Sequence, residues 1–345
     1  MAIEIDALQI RAADMSALAI EDCAMECNRF RATSSGPTLD ALVILAESNF
    51  NTVRLRVWVH PLANHSEGNV TYVVALAKRA KAAGLSIWVD FHLSDWWSDP
   101  GHQYKPSQWA NLSFTDLLSA VHTHVFNVLT QITAVADVVL VQVGNEITPG
   151  ALWPELGQPC ADSGALNTQN SQSCSNNWPA FGELIAAGIS AARIVIPSVR
   201  IAIHTDLGNR GDNAGADTIW WYTNFIAALP TGIDFDIIAL SYYMQYKANG
   251  PSGEASLATA IKARFPQKEL LMAETSKAYD GNTPSQNDYP TTPEGQLAFW
   301  KDTISNASAS GWLGVAWWGG EYAGDWTALF DSNYVALPAL LEGFL

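Results

Sequence analysis

Apolar positions recur along this chain in short, nearly unbroken runs, each followed by a longer stretch with helical spacing. Eight runs read as strands: residues 10–14, 52–59, 86–92, 138–144, 200–205, 236–242, 270–274 and 312–318. Two of them, VVLVQVG at 138–144 and DIIALSYY at 236–243, scarcely alternate, as a parallel strand buried on both faces requires. Helical patterns fall at 38–48, 70–83, 114–135, 179–195, 217–228, 253–265, 293–308 and 337–342. The second ends in AKRAKAAG, a basic last turn with a glycine stop at Gly84. Strand and helix alternating eight times predict an α/β fold, a single (β/α)8 TIM barrel spanning residues 1–345. A doubly wound sheet fits less well, because no G-x-G-x-x-G follows the first strand.

Such a barrel carries its active site at the C-terminal ends of its strands. Read there, the second strand offers Arg54, Arg56, Trp58 and His60, and the third Asp90, His92 and Asp95. The fourth ends in Asn145 and Glu146, the fifth in His204 and Asp206, and the sixth in Tyr242 and Tyr243. The seventh ends in Glu274 and the eighth in Trp317, Trp318 and Glu321. Two glutamates across a barrel mouth suit a retaining glycosidase, in which one carboxylic acid protonates the leaving oxygen and one carboxylate attacks the anomeric carbon. Asn145 can hold the sugar 2-OH, an arginine of the second strand can keep the nucleophile ionised, and a tyrosine of the sixth can hydrogen-bond it. A single glutamate at a strand end is more often a surface group; the joint pattern carries the reading.

Composition narrows the partners. Eighteen basic against 34 acidic residues leave a formal charge of −16, which disfavours nucleic acid and other polyanions. No run reaches the roughly 18 apolar residues of a membrane span. Fourteen tryptophans exceed what the core patterns need: Trp220, Trp221 and Trp300 sit at helical positions, but Trp96 and Trp97 lie in the polar loop SDWWSDPG. Exposed indoles stack on sugar rings, so a neutral polysaccharide is the expected partner of a monomeric enzyme. The pairs Cys23/Cys27 and Cys160/Cys174 read as two local disulfides in preference to free thiols or a zinc site. With sequons at Asn64, Asn69, Asn111 and Asn306, they point to a secreted protein whose signal peptide is absent from this sequence. No metal or cofactor is expected. Alternatives are a retaining hydrolase of another β-galactan or β-glycan, a non-catalytic carbohydrate-binding barrel, and a metal hydrolase, the last lacking an H-x-H on its first strand.

The segments NTVRLRVWVHP (51–61), AKRAKAAGLSIWVDFHLSDWWSDPGHQYKPSQW (77–109) and VQVGNEITPGALWP (141–154) resemble the arabinogalactan endo-β-1,4-galactanases, glycoside hydrolase family 53 of the retaining clan A. The resemblance implies Glu146 as acid/base, Glu274 as nucleophile, Arg54 beside the nucleophile and Asn145 at the 2-OH. It matches Asp90, His92 and Asp95 to the third-strand motif and Tyr242 to a position near the nucleophile. The implied substrate is the β-1,4-galactan side chain of type I arabinogalactan. By their place at strand ends and in the loop after the third strand, Trp97, His204, Asp206, Trp317 and Trp318 are also expected to contact it. The chain departs from the family pattern at HTDLGN (204–209), ETSKAYDGN (274–282) and WWGGEYAG (317–324), and residues 155–178 look like an insertion. Some bacterial members carry calcium after the seventh strand; here Asp280, Asn282 and Asp288 read as a solvated polar loop instead.

Overall fold

The computed structural model describes residues 8–18, 28–62, 66–154, 160–166, 177–243, 253–282 and 289–345. Ten strands and eight α-helices alternate through them. The strands are β1 (Ile10–Asp14), β2 (Thr52–Val57), β3 (Ser86–Phe91), β4 (Val138–Val143), β5 (Gly150–Ala151), β6 (Gly164–Ala165), β7 (Arg200–Thr205), β8 (Ile237–Ser241), β9 (Glu269–Thr275) and β10 (Gly314–Trp317). The helices are α1 (Ala41–Glu47), α2 (Val70–Ala82), α3 (Phe114–Thr133), α4 (Trp178–Val195), α5 (Ala214–Ala228), α6 (Gly253–Arg264), α7 (Pro293–Ala309) and α8 (Pro338–Glu342).

Eight strands close in the order β1-β10-β9-β8-β7-β4-β3-β2, and every neighbouring pair is parallel. The expected (β/α)8 barrel is therefore present, with each predicted strand and helix in place to within a few residues. β2 stops at Val57 rather than residue 59, because Trp58 and Val59 turn their N–H groups to Gly68 O and Ser94 O (2.8 and 2.9 Å). The antiparallel β5–β6 ladder went unpredicted, since two-residue strands leave no periodic signal. Part of the suspected 155–178 insertion is thereby tied down, and Asn177 Nδ2 donates to Cys160 O and Ser163 O (3.2 and 2.8 Å). Cys160 is disulfide-bonded; Cys23, Cys27 and Cys174 lie outside the described residues.

Local signals place the helices. Asp40, Asn69, Ser113 and Thr292 cap α1, α2, α3 and α7 by accepting main-chain N–H bonds. Gly84, at φ +84°, ends the run after α2 with its N–H on Lys81 O (3.0 Å), as the basic turn and glycine predicted. No helix among the described residues is long and apolar enough to cross a membrane.

The barrel interior decides where the chemistry lies. Strand residues alternate between faces: Val53, Leu55, Val57, Val141, Val143, Ile201 and Ile203 point to the helices and join the large outer core. The inner layer holds Trp88 against Ala12, Ala202, Ala239, Ala273 and Ala316, one large side chain matched by small ones. Two residues further along, the inward positions turn polar together: Ala12 to Asp14, Thr52 to Arg54, Trp88 to Asp90, Leu140 to Gln142, Ala202 to His204 and Ala239 to Ser241. The in-register pairs Asp14–Arg54, Arg56–Asp90, Asp90–Gln142 and Ser241–Glu274 hold these groups at one level.

One buried acid lies away from that level. Glu254, in the first turn of α6, is fully buried, and among the described residues neither carboxylate oxygen has a partner. Burial pushes its pKa well above the ordinary glutamate value. Its folded-state pKa exceeds the unfolded one, so stability is lost as pH rises out of the usual carboxylate range. Glu254→Gln is accordingly expected to raise Tm at pH 7, with the gain shrinking toward pH 4. A gain independent of pH in calorimetry refutes this account.

Candidate active site

The C-terminal mouth of the barrel opens into a cleft of about 810 Å³ lined by residues from all eight barrel strands or the loops that follow them. At its floor lies Arg54, whose side chain is 1 % exposed. Its Nη1 meets Asp14 Oδ2 (2.9 Å), and its Nη2 meets Asp90 Oδ2 (2.8 Å), Glu274 Oε1 (2.9 Å) and Asn145 Oδ1 (2.7 Å). Beneath it the Trp88 ring lies 5.3 Å from the guanidinium carbon, a cation–π contact that closes the floor against the apolar layer.

Glu274 ends β9 and has both oxygens engaged: Oε1 by Arg54, and Oε2 by Tyr243, whose hydroxyl donates at 3.0 Å. Burial raises its pKa to about 7, with Arg54 and the Tyr243 bond pulling downward against it. Glu146 follows β4 through Gly144, whose φ of +89° turns the chain and whose Cβ, if present, would lie 2.6 Å from Ile147. Glu146 itself sits at φ +47°, a left-handed backbone that non-glycine residues rarely hold. Burial and the facing Glu274 push its carboxyl well above the ordinary range, and among the described residues no arginine or lysine pairs with it. Its Oε1 accepts the Ser241 hydroxyl at 2.6 Å. The two carboxyl groups thus have opposed surroundings: one faces a cation and a phenol, the other a hydroxyl and a like charge. That asymmetry favours the charged form at Glu274 and the acid form at Glu146.

Of the residues predicted from sequence, Glu146, Glu274, Arg54, His92, Trp97, Asn145, Asp206 and Trp318 line this cleft. Trp97 stands edge-on to Trp318 (6.2 Å) and is backed by the Arg56 guanidinium, 3.8 Å from its ring centre. Asp206 accepts the Thr148 hydroxyl (2.5 Å) and faces Arg210 (3.6 Å). His92 Nδ1 accepts the Ser98 N–H (2.9 Å), so its Nε2–H donates to Asp90 Oδ2 (3.0 Å). Burial lowers the His92 pKa and favours this neutral form.

Five of the expected residues do not line the cleft. Tyr242 points outward into the core; Tyr243, two residues beyond inward-facing Ser241, is the residue that bonds Glu274. Trp317 likewise faces outward, packed on Trp300 (5.1 Å) with its indole N–H on Thr327 O (2.9 Å), and only Trp318 reaches the cleft. Asp95 does not line it; that carboxylate binds His60 N and Ser107 N (3.0 and 2.8 Å), bracing the loop that carries Trp97. Asp90 and His204 are fully buried below the lining, Asp90 on Arg54 and His204 on Ser241 (2.9 Å). Period-two counting along DIIALSYY and GVAWW would have separated Tyr243 from Tyr242 and Trp318 from Trp317. Asp14, Asn209, Arg210, Ser276 and Trp326 also line the cleft; nothing in sequence spacing singled them out. Asp280 and Asn282 are described, but Asp288 lies outside the described residues.

A closed parallel barrel with two carboxyl groups of opposed environment at the ends of β4 and β9 defines a glycoside hydrolase. The chain belongs to glycosyl hydrolase family 53, whose model matches residues 10–340. It is 32 % identical over 289 residues to the arabinogalactan endo-β-1,4-galactanase of Humicola insolens, covering 82 % of this chain and 77 % of that one. Among solved structures it superposes on the Ignisphaera aggregans GH53 catalytic domain with a TM-score of 0.82 and 29 % identity, over 98 % of this chain and 96 % of the other. A fungal β-1,4-galactanase structure gives a TM-score of 0.81 at 28 % identity, over 98 % and 99 % of the two chains.

Tyr243→Phe removes a donor that favours the charged form of Glu274, so the pKa of Glu274 rises. The acid limb of kcat/KM is expected to move to higher pH, with activity at the optimum falling about 10- to 100-fold, the weight of a hydrogen bond to a charged group. An unmoved acid limb would count against the bond. The two neighbouring tryptophan sets separate by readout: Trp97→Ala is expected to raise KM several-fold at nearly unchanged Tm, whereas Trp317→Ala costs about 3–5 kcal/mol of stability.

Proposed function

We propose that this chain is a secreted, monomeric endo-β-1,4-galactanase that cleaves galactan side chains by double displacement. The observation that carries the mechanism is the asymmetry of the two carboxyl groups: Glu274 rests on Arg54 at 2.9 Å, while Glu146 has no cation among the described residues and is favoured in its acid form by burial. In the first step the Glu274 carboxylate attacks the anomeric carbon as Glu146 gives its proton to the departing glycosidic oxygen. In the second, ionised Glu146 takes a proton from water, which displaces Glu274 with a second inversion and so yields net retention. Asn145, fixed by Arg54 and by its own Nδ2 donating to Ser98 O (2.8 Å), stands ready to meet the sugar 2-OH. Trp97 and Trp318 offer apolar faces for rings on either side.

The choice of β-1,4-galactan rests on membership of family 53 and on the names of relatives such as the Humicola enzyme. The net charge of −16 fits a neutral side chain better than a charged pectin backbone. Secretion is supported by the disulfide at Cys160 and by a polymeric substrate that cannot enter a cell.

Glu146→Gln and Glu274→Gln are each expected to lower turnover of galactan by at least about 10³-fold while leaving Tm close to wild type. NMR of the first-formed products should show the β-anomer; initial release of the α-anomer would overturn the double displacement. Incubation with β-1,4-, β-1,3- and β-1,6-galactans, β-glucans and mannans should yield short oligosaccharides from the β-1,4-galactan, and preference for another polymer would reassign the substrate.

A further inference from the structure

The main-chain N–H of Glu146 lies 3.3 Å from His204 Nδ1, His204 Nε2 lies 2.9 Å from Ser241 Oγ, and Ser241 Oγ lies 2.6 Å from Glu146 Oε1. The path therefore leaves the backbone of Glu146, crosses an imidazole and a hydroxyl, and returns to the carboxyl group of the same residue. Resting on the reading of Glu146 as acid/base, we propose that Ser241 and His204 are positioning residues. Their closed ring of hydrogen bonds, directed by the Glu146 main-chain N–H, keeps the catalytic proton on Oε2, the oxygen left for the cleft.

The direction of the ring follows from which groups can only donate. A peptide N–H has no acceptor capacity, so a bond from Glu146 requires an unprotonated Nδ1. Gln142 Nε2, another donor, stands 3.0 Å from the same nitrogen. A neutral imidazole with bare Nδ1 carries its proton on Nε2 and donates it to Ser241 Oγ. Ser241 then turns its own hydrogen toward Glu146 Oε1. An oxygen already receiving a hydrogen bond at 2.6 Å has no room for a proton on that side, so the acid's proton sits on Oε2.

One contact favours the opposite tautomer: Asn145 Oδ1 is 2.9 Å from His204 Nδ1. That oxygen already takes Arg54 Nη2 at 2.7 Å, and the amide cannot flip without losing the bond from Asn145 Nδ2 to Ser98 O. A proton on Nδ1 would also leave the part-buried N–H of Glu146 without this acceptor. It would reverse the ring as well, so that Ser241 donated to His204 and Glu146 donated to Ser241, turning the catalytic proton away from the glycosidic oxygen. Which tautomer His204 adopts therefore decides whether Glu146 is armed.

The surroundings keep the imidazole neutral. Ser241 and His204 are fully buried, and burial together with Arg54 holds His204 well below its ordinary pKa, although Asp90 opposes this. Glu146 itself faces Glu274, Asp206 and Asp99, all acidic, which favour its protonated form, and the Ser241 hydroxyl alone pulls the other way. The left-handed φ of +47° at Glu146 accompanies this geometry, in which both the N–H and the carboxyl group of one residue meet the same His–Ser pair.

The tautomer is directly observable. In protein labelled with ¹⁵N-histidine, His204 is expected to show a protonated Nε2 and an unprotonated Nδ1 from pH 5 to 8; a protonated Nδ1 overturns the proposal without any substitution. Kinetics give a second test. Ser241→Ala should lower kcat/KM on galactan about 10- to 100-fold and shift the alkaline limb to higher pH, because a bond favouring the ionised acid is lost. On a dinitrophenyl β-galactobioside, whose leaving group departs without a proton, kcat/KM should stay within about 3-fold of wild type. Ser241→Cys, similar in size but a weaker donor, should fall between. Equal losses on both substrates with an unmoved alkaline limb would reduce Ser241 to a packing role. Glu146→Gln is the control: if it too loses equally on both substrates, the acid/base reading itself fails.

Discussion

Everything at the mouth of this barrel is arranged around the guanidinium of Arg54. It is buried, and three carboxylates from three strands converge on it: Asp14 after Ala13, Asp90 on β3 and Glu274 on β9. A cation in that position would be costly alone, and each acid would be costly without it. Together they form a unit whose net negative charge is relieved by hydrogen bonds from Ser16, His92 and Tyr243. Removing the cation would strand two or three buried negative charges, which is why its role in stability cannot be separated from its role in holding Glu274.

The register of the barrel makes this convergence possible. A closed parallel sheet brings the same inward level of eight strands within reach of one point. Here the level is marked by a change from Trp88 and a ring of alanines to charged and amide groups two residues on. The large ring below supports the arginine above, and the alanines leave room for it. Trp97 is supported in a similar way from its far side: Arg56 stacks on it, and Asp95, although outside the cleft, ties the loop's backbone.

The two glutamates are chemically identical side chains made different by neighbours. Glu274 takes two donors, one of them cationic. Glu146 takes a neutral hydroxyl and looks at other acids. The difference is a property of where strands β4, β8 and β9 place them, since Ser241 and Glu274 are paired residues on adjacent strands while Glu146 reaches across from β4. The same placement puts a histidine under the acid and lets a backbone N–H set the sense of its hydrogen bonds.

Local physics made much of this chain legible in one dimension. Continuous apolar runs, capping residues and the Gly84 stop specify eight strands and eight helices, because burial on both faces and helix ends leave marks within a few residues. The strand-end position of Glu146, Glu274, Arg54 and Asn145 follows from the same alternation. Side-chain direction at the ends was also encoded, through period two, for Tyr243 against Tyr242 and Trp318 against Trp317. What no window of sequence contains is the distance between strands. Asp14 becomes a partner of Arg54, His204 passes beneath Glu146, and Ser241 bonds across 95 positions of chain only when the barrel closes. Electrostatic roles depend on those separations and on burial, so the residue types were set by the sequence and their protonation was decided by the fold.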